Sequence, residues 1–226
     1  LSVDNRKRGN LKSLVSSFGI VLKNRRYVYY VLQMGFAMGV LFANISSSPF
    51  IVQQHYGFSA FEFSLFFGIN ALAIGLAAGL SVKFKNPEHA MFLGSVGMTM
   101  MSAVEFVILS NEYHFAVYEA VLFVLLFSMG LTFTASTTLA MDCERANSGT
   151  ASALFGAAGF AFGGIVSPLV GLGDILSTTG LIFFVCSVCS LCFSVLAMNQ
   201  THTNLWGSFK CKMGPVTRFV FLKREK

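Results

Sequence analysis

A chain of 226 residues with 54% hydrophobic residues, 12% charged residues and a mean hydropathy of +0.67 has too little polar surface to coat a soluble globule. Sixteen Lys and Arg against ten Asp and Glu give a net charge of +6. Those cations sit beside apolar runs, so membrane topology and anionic lipid account for them and no nucleic-acid partner is expected.

The first 26 residues are polar and basic, carrying Arg6, Lys7, Arg8, Lys12, Lys23, Arg25 and Arg26, with no apolar core of a secretory signal. The chain opens on Leu1, which leads to the expectation that its natural start lies upstream. Residues 11–22 place their apolar side chains on one helical face. That pattern fits either an amphipathic helix on the cytoplasmic membrane surface or a partly ordered linker.

A helix rising 1.5 Å per residue needs about 20 apolar residues to cross about 30 Å of hydrocarbon. Six segments qualify: 27–50, 61–82, 90–109, 115–141, 149–172 and 178–198. A lone strand in lipid leaves its backbone unsatisfied, so the expected fold class is all-α, a polytopic membrane protein of six transmembrane helices. The basic groups between and beyond the spans are Lys83 and Lys85, Arg145, then Lys210, Lys212, Arg218, Lys223, Arg224 and Lys226. With the N-terminal group they all fall on the even-crossing side, whereas the loops at 53–59, 110–114 and 173–177 hold no Lys or Arg. Cytoplasmic loops collect Lys and Arg, so both termini are expected in the cytoplasm. The chain then divides into a cytoplasmic segment 1–26, a six-helix unit 27–198 and a basic cytoplasmic tail 199–226, with Trp206 as an interfacial anchor.

In the first span, Gln33, Asn44 and Ser47 lie within about 40° of one direction on a wheel turning ~100° per residue. Polar side chains lose hydrogen bonds in lipid, so this stripe faces protein or water. It is open to two readings, a substrate-cavity wall or interhelical hydrogen bonding. Asn70 in the second span and Thr134 in the fourth complete the substrate-binding candidates. Glu105 and Glu119 stand near the outer ends of the third and fourth spans, where a carboxylate can snorkel towards headgroups. Glu119 also shares a face with Gly130, Thr134 and Thr137, which makes it the proton-coupling candidate. The fifth span is rich in small residues, with Gly156, Gly159, Gly163, Gly164 and Gly171 beside Pro168. Small residues let helices approach closely in lipid and Pro permits a bend. The span therefore reads as a moving helix interface or as a static tight crossing.

Cys186, Cys189 and Cys192 recur every third residue in the sixth span and read as thiols packing in a helix, not as a metal site. No disulfide is expected, because Cys143 and Cys211 face a reducing compartment. His55, His89, His114 and His202 lie apart in loops or tail, so no metal cluster or catalytic pair is indicated. There is no phosphate-binding GxxxxGK[ST] pattern, and Asn86-Pro87-Glu88 matches a water-channel signature only by two letters. A carrier is expected, not an enzyme.

Three stretches then carry a resemblance. Asn24-Arg25-Arg26 precedes an aromatic-rich helix start that runs to Tyr30. Ser46-Ser47-Ser48-Pro49-Phe50 is followed by Tyr56-Gly57-Phe58-Ser59 and Asn70-Ala71. Gly149-Thr150-Ala151-Ser152-Ala153-Leu154 leads through Gly163 to Ser167-Pro168-Leu169-Val170-Gly171. These resemble the C-terminal half of the bicyclomycin and chloramphenicol resistance (Bcr/CflA) drug-efflux carriers of the major facilitator superfamily. Asn147-Ser148, the degenerate basic loop at 83–89, Glu105 and Glu119 depart from the family pattern. The resemblance implies that the six spans are the seventh to twelfth of twelve, one half-bundle of a major facilitator fold. The first and fourth would line the cavity, the second and fifth pack on the other half, and the third and sixth face lipid. It further implies half of a proton-coupled multidrug efflux carrier in a bacterial inner membrane, exporting amphipathic drug-like molecules by alternating access. The proton gradient would be its energy source, with no cofactor. Its partners would be the bilayer, the substrates and the missing N-terminal six-helix half, where the principal coupling acids are expected. The alternatives are an uptake or sugar carrier of the same fold, or a truncated membrane protein that does not transport.

Overall fold

The structure, a computed structural model, describes residues 18–212, with side chains described for 18–200. Most of the expected amphipathic segment at 11–22 lies outside the described residues. So do Arg6, Lys7, Arg8 and Lys12, Arg218, Lys223, Arg224 and Lys226, and the side chains of His202, Trp206, Lys210, Cys211 and Lys212.

Among the described residues six helices are long and apolar enough to cross a membrane. They are α1 (Arg25–Pro49), α2 (Ala60–Ser81), α3 (Pro87–Ser110), α4 (Phe115–Cys143), α5 (Ser148–Leu169) and α6 (Ile175–Lys212). Among the described residues there is no strand.

The ends are set by local chemistry. Asn24 caps α1 by accepting from the Tyr27 N–H at 3.3 Å. Ser59 and Glu62 form a reciprocal capping box at α2. Asn86 caps α3 with Pro87 in its first turn, where the missing N–H costs nothing. The Asp174 carboxylate accepts from the Ser177 N–H at 2.9 Å, starting α6 three residues earlier than hydropathy suggests. Those Ser177 hydrogen bonds hold the Asp174 carboxyl below the usual carboxylate range. At Pro49 the chain does not leave the helix. It continues as a π-helix over Phe50–His55, so residues expected in a loop remain helical. The turn follows at Gly57, whose φ of +77° favours glycine. α6 likewise runs beyond its expected end at 198.

The packing is internally repeated. The main packing pairs are α1 on α4, α5 and α6, α4 on α2 and α3, and α3 on α6, with a slighter contact of α4 on α5 outside the pattern. Exchanging α1 with α4, α2 with α5 and α3 with α6 maps this set of pairs onto itself. Three crossings per unit place the second unit upside down relative to the first, which is an inverted repeat. The central pair is the most enclosed, with Ala37, Val40 and Ala43 of α1 and Leu122, Leu125, Leu126 and Met129 of α4 all buried. α2 and α5 turn large side chains outward, including Leu72 and Leu76 on one and Phe160 and Ile165 on the other.

Glycines bring the helices together at specific points. A Cβ at Gly163 would collide with the Phe42 ring, and one at Gly35 would lie 2.6 Å from the Phe162 ring. The α1–α5 seam is thus closed from both sides by an aromatic ring on a glycine. Gly130 of α4 does the same against α2, where a Cβ would lie 2.5 Å from the Ile74 carbonyl oxygen. Gly159 also meets α1, at Met38, whereas Gly156, Gly164 and Gly171 face open space and Pro168 is exposed. The small residues of α5 therefore serve two faces, only one of which is filled by this chain.

The three cysteines of α6 do not share a face. Three residues advance a helix by about 300°, so each successive thiol rotates by about 60°. Cys186 is buried, Cys189 half-buried and Cys192 exposed. The expectation of packed thiols is corrected to Cys186 alone.

At the basic end, Arg26 of α1 pairs with Glu88 of α3 at 2.9 Å, their side chains 28% and 10% exposed. The Asn24 amide donates to Glu144 at 2.7 Å, and the buried Tyr27 hydroxyl donates to the Ala151 carbonyl at 2.7 Å. Arg26 and Glu88, which the sequence marks only as loop charges, tie the starts of α1 and α3 together.

Candidate functional site

The polar residues of α1 fall into two separate nodes about eleven residues apart, a rise of roughly 16 Å. The lower node centres on Gln33, fully buried. Its amide nitrogen donates to Ser190 of α6 at 3.0 Å, its amide oxygen accepts from Ser136 of α4, and Ser190 donates to its backbone carbonyl at 3.1 Å. Every polar group of the side chain is engaged between helices, so Gln33 joins α1, α4 and α6.

The upper node gathers residues from α1, α2 and α4. Asn44 is 2% exposed, and its side-chain oxygen accepts from the Ser48 hydroxyl at 2.9 Å. Ser47 is fully buried and directs its hydroxyl to the Asn44 carbonyl at 3.5 Å, a weak contact. Asn70, on the face of α2 that packs against α4, donates to Glu119 at 2.9 Å. Ser48, Asn70, Tyr118 and Glu119 line one cavity of about 10 Å³, walled on its apolar side by Val52, Phe63, Phe66, Phe67 and Leu122.

Glu105 overturns its expectation. It is fully buried in α3, not directed towards headgroups, and both carboxyl oxygens lack a hydrogen-bond partner. Closeness to a helix end permits snorkelling only when the residue also points outward. Glu119 is half-buried, with one oxygen on Asn70 and the other unpartnered. The Tyr118 hydroxyl, fully buried, faces Ser48 without hydrogen-bonding geometry.

Thr134 stands apart from both nodes, half-buried on α4, its carbonyl accepting from the exposed Thr138 at 3.0 Å. Between the ends of α1 and α5 away from the basic residues lies an open groove of about 210 Å³, lined in part by Ser46, Phe50, Ser167, Pro168 and Gly171. The hydroxyls of Ser46 and Ser167 are bonded across it.

The structure thus brings Asn70 and Glu119 together, sets Asn44 next to them through Ser48, leaves the Ser47 hydroxyl on the Asn44 backbone, and places Gln33 and Thr134 elsewhere. It adds Ser48, Glu105, Tyr118, Ser136 and Ser190. Two of these had a readable signal. Ser95, Met98, Ser102 and Glu105 recur at helical spacing, as do Ser187, Ser190 and Ser194, and in both runs every residue is buried. Among the described residues no three His, Cys, Asp or Glu side chains are grouped as metal ligands would be.

Residues 2–168 match the family described as Major Facilitator Superfamily. The chain is also similar to an uncharacterized MFS-type transporter, YdgK, of Bacillus subtilis (strain 168). The two are 33% identical over 209 residues, which cover 90% of this chain and 52% of that protein. The chain therefore spans about half the length of this relative.

Proposed function

The chain belongs to the major facilitator superfamily, and on that premise we propose that it forms the C-terminal six-helix half of a proton-coupled efflux carrier for amphipathic small molecules. It is a multi-pass, all-α membrane protein of a transporter family, not an enzyme. The observation that carries the reading is the inverted repeat. Alternating access works by rocking one such bundle against another around a site between them. The outward faces of α2 and α5, with Gly156 and Gly164 open on α5, suit contact with a second bundle and lipid.

In this proposal Asn44, Ser47, Asn70 and Thr134 contribute to the substrate wall, and Gln33 braces it from behind. Asn44 and Ser47 are buried here, so they meet a cargo only through the rearrangement that transport supplies. Twenty-five Phe and ten Met provide soft, adaptable surface for loosely shaped apolar molecules. Glu119 is the coupling candidate on this half. Residues 1–26 and 199–226 lie in the cytoplasm, and the bilayer is the bacterial inner membrane. The Bcr/CflA drug-efflux subtype is the closest fit to the motifs quoted above.

Dye accumulation tests this. Bacteria lacking their own pumps and expressing the two-half protein should retain less of an amphipathic cationic dye, and an uncoupler should erase the difference. Unchanged dye levels with new proton-driven sugar uptake would instead assign an uptake carrier, and no transport of any kind would assign a non-transporting protein.

A further inference from the structure

The polar atoms left unsatisfied in the bundle are not scattered. Of eight buried side-chain oxygens without a hydrogen-bond partner among the described residues, five belong to Asn70, Glu105, Tyr118 and Glu119. The other three are hydroxyls of α6, on Thr179, Ser187 and Ser194, which a rotation towards the preceding turn can serve. The five have no such local remedy. Asn70 already gives its amide to Glu119, and a carboxylate has no proton to offer.

These atoms come from three helices, and three of the five belong to residues that line one cavity. Asn70, Tyr118 and Glu119 line the same cavity of about 10 Å³, room for about one water-sized particle. Tyr118 is fully buried on its wall with a free hydroxyl. Glu105, fully buried on α3, lies within electrostatic range of Glu119, Tyr118 and Tyr56. The charged group acting on Glu105 is Glu119, another acid. Tyr56 adds only the further acid Glu112 beyond it, and α6 carries no charged residue over 175–200. Two acids thus lie within electrostatic range of each other, Glu105 fully buried and Glu119 half-buried, and among the described residues no basic side chain is paired with either. Leaving both charged there is costly, and the Asn70 amide on one Glu119 oxygen offsets only part of that cost.

We infer that Glu105 and Glu119, with the Tyr118 hydroxyl and the Asn70 side-chain oxygen, form one site for a monovalent cation, a proton or Na⁺, carried on this half of the protein. The inference rests on the coupling role given to Glu119 and deepens it: the ion is held by two acids on different helices. Because α3 and α4 belong to different three-helix units, binding joins the two units of the repeat. A proton would bond to one carboxylate oxygen; Na⁺ would take the oxygens as ligands. Neither step needs another reactant.

The test reads the ion directly on the chain in lipid nanodiscs, in two arms. Radioactive sodium binding is measured above neutral pH, and infrared difference spectroscopy reads protonated carboxyl groups at neutral pH. Sodium bound by the wild type and lost in both Glu105→Gln and Glu119→Gln identifies Na⁺. A protonated carboxyl signal without sodium binding, lost in the double variant, identifies the proton. In either arm Tyr118→Phe, which removes one hydroxyl and leaves the packing, should weaken the ion about ten- to a hundredfold. Two ionised carboxylates at neutral pH without bound sodium, or an ion signal unchanged by Tyr118→Phe and by the double Gln variant, overturn the site. Failure of the carrier reading would show separately, as absent dye transport, which equilibrium binding does not report.

Discussion

Phe42 of α1 and Gly163 of α5 interlock so closely that a Cβ on the glycine would strike the ring. Gly163→Ala should therefore destabilise the bundle by about 1–3 kcal/mol, the usual cost of overpacking a filled interface. Gly164, one residue on, faces open space. Gly164→Ala should leave thermal unfolding of the isolated chain unchanged or slightly raised. Equal losses in the two variants would mean that the seam is not where the destabilisation arises.

Gln33 ties three helices through Ser136 and Ser190. Each interhelical hydrogen bond in a membrane bundle contributes roughly 0.6–2 kcal/mol. Gln33→Ala should lower the unfolding midpoint in detergent. Gln33→Glu should do worse, because it puts a charge where the amide donates to Ser190. A Gln33→Ala protein as stable as wild type would remove the node from the account.

The Arg26–Glu88 pair is shielded, with side chains 28% and 10% exposed, whereas Arg145–Asp142 is open at 80% and 54%. A double-mutant cycle should give about 1 kcal/mol of coupling for the first pair and about 0–0.5 for the second. Half-molar salt should diminish the second more. The reverse order would show that burial does not govern these pairs.

Asn44 holds Ser48 against the cavity that Asn70 and Glu119 also line. Asn44→Ala in the two-half protein should alter which dyes and drugs are exported while expression stays normal. An unchanged resistance profile would count against this region as part of the substrate wall.

The six crossings were readable because lipid demands about twenty apolar residues per helix, and nothing else in the chain meets that length. Their ends were less so. The first span was expected to end at 50, but in lipid a helix that breaks exposes its backbone, and the chain continues as a π-helix to His55. Asp174 starts α6 early through one carboxylate contact that hydropathy does not see. The α1 stripe was legible as inward-facing, but its division into a structural node at Gln33 and a node at Asn44 beside the cavity depends on partners that local pattern does not show, Ser136 and Ser190 being 103 and 157 residues from Gln33. Glu105 was misplaced because distance from a helix end says nothing of the direction in which a side chain points. The recurrence of Ser95, Ser102 and Glu105 held that direction.

The most direct test of the central claim, that these helices are one bundle of a two-bundle carrier, compares two sets of proteoliposomes under the same imposed proton gradient. One holds this chain alone and the other holds it with a six-helix N-terminal half supplied in trans. The account predicts gradient-driven accumulation of an amphipathic dye only in the second. Equal accumulation by the chain alone would contradict it.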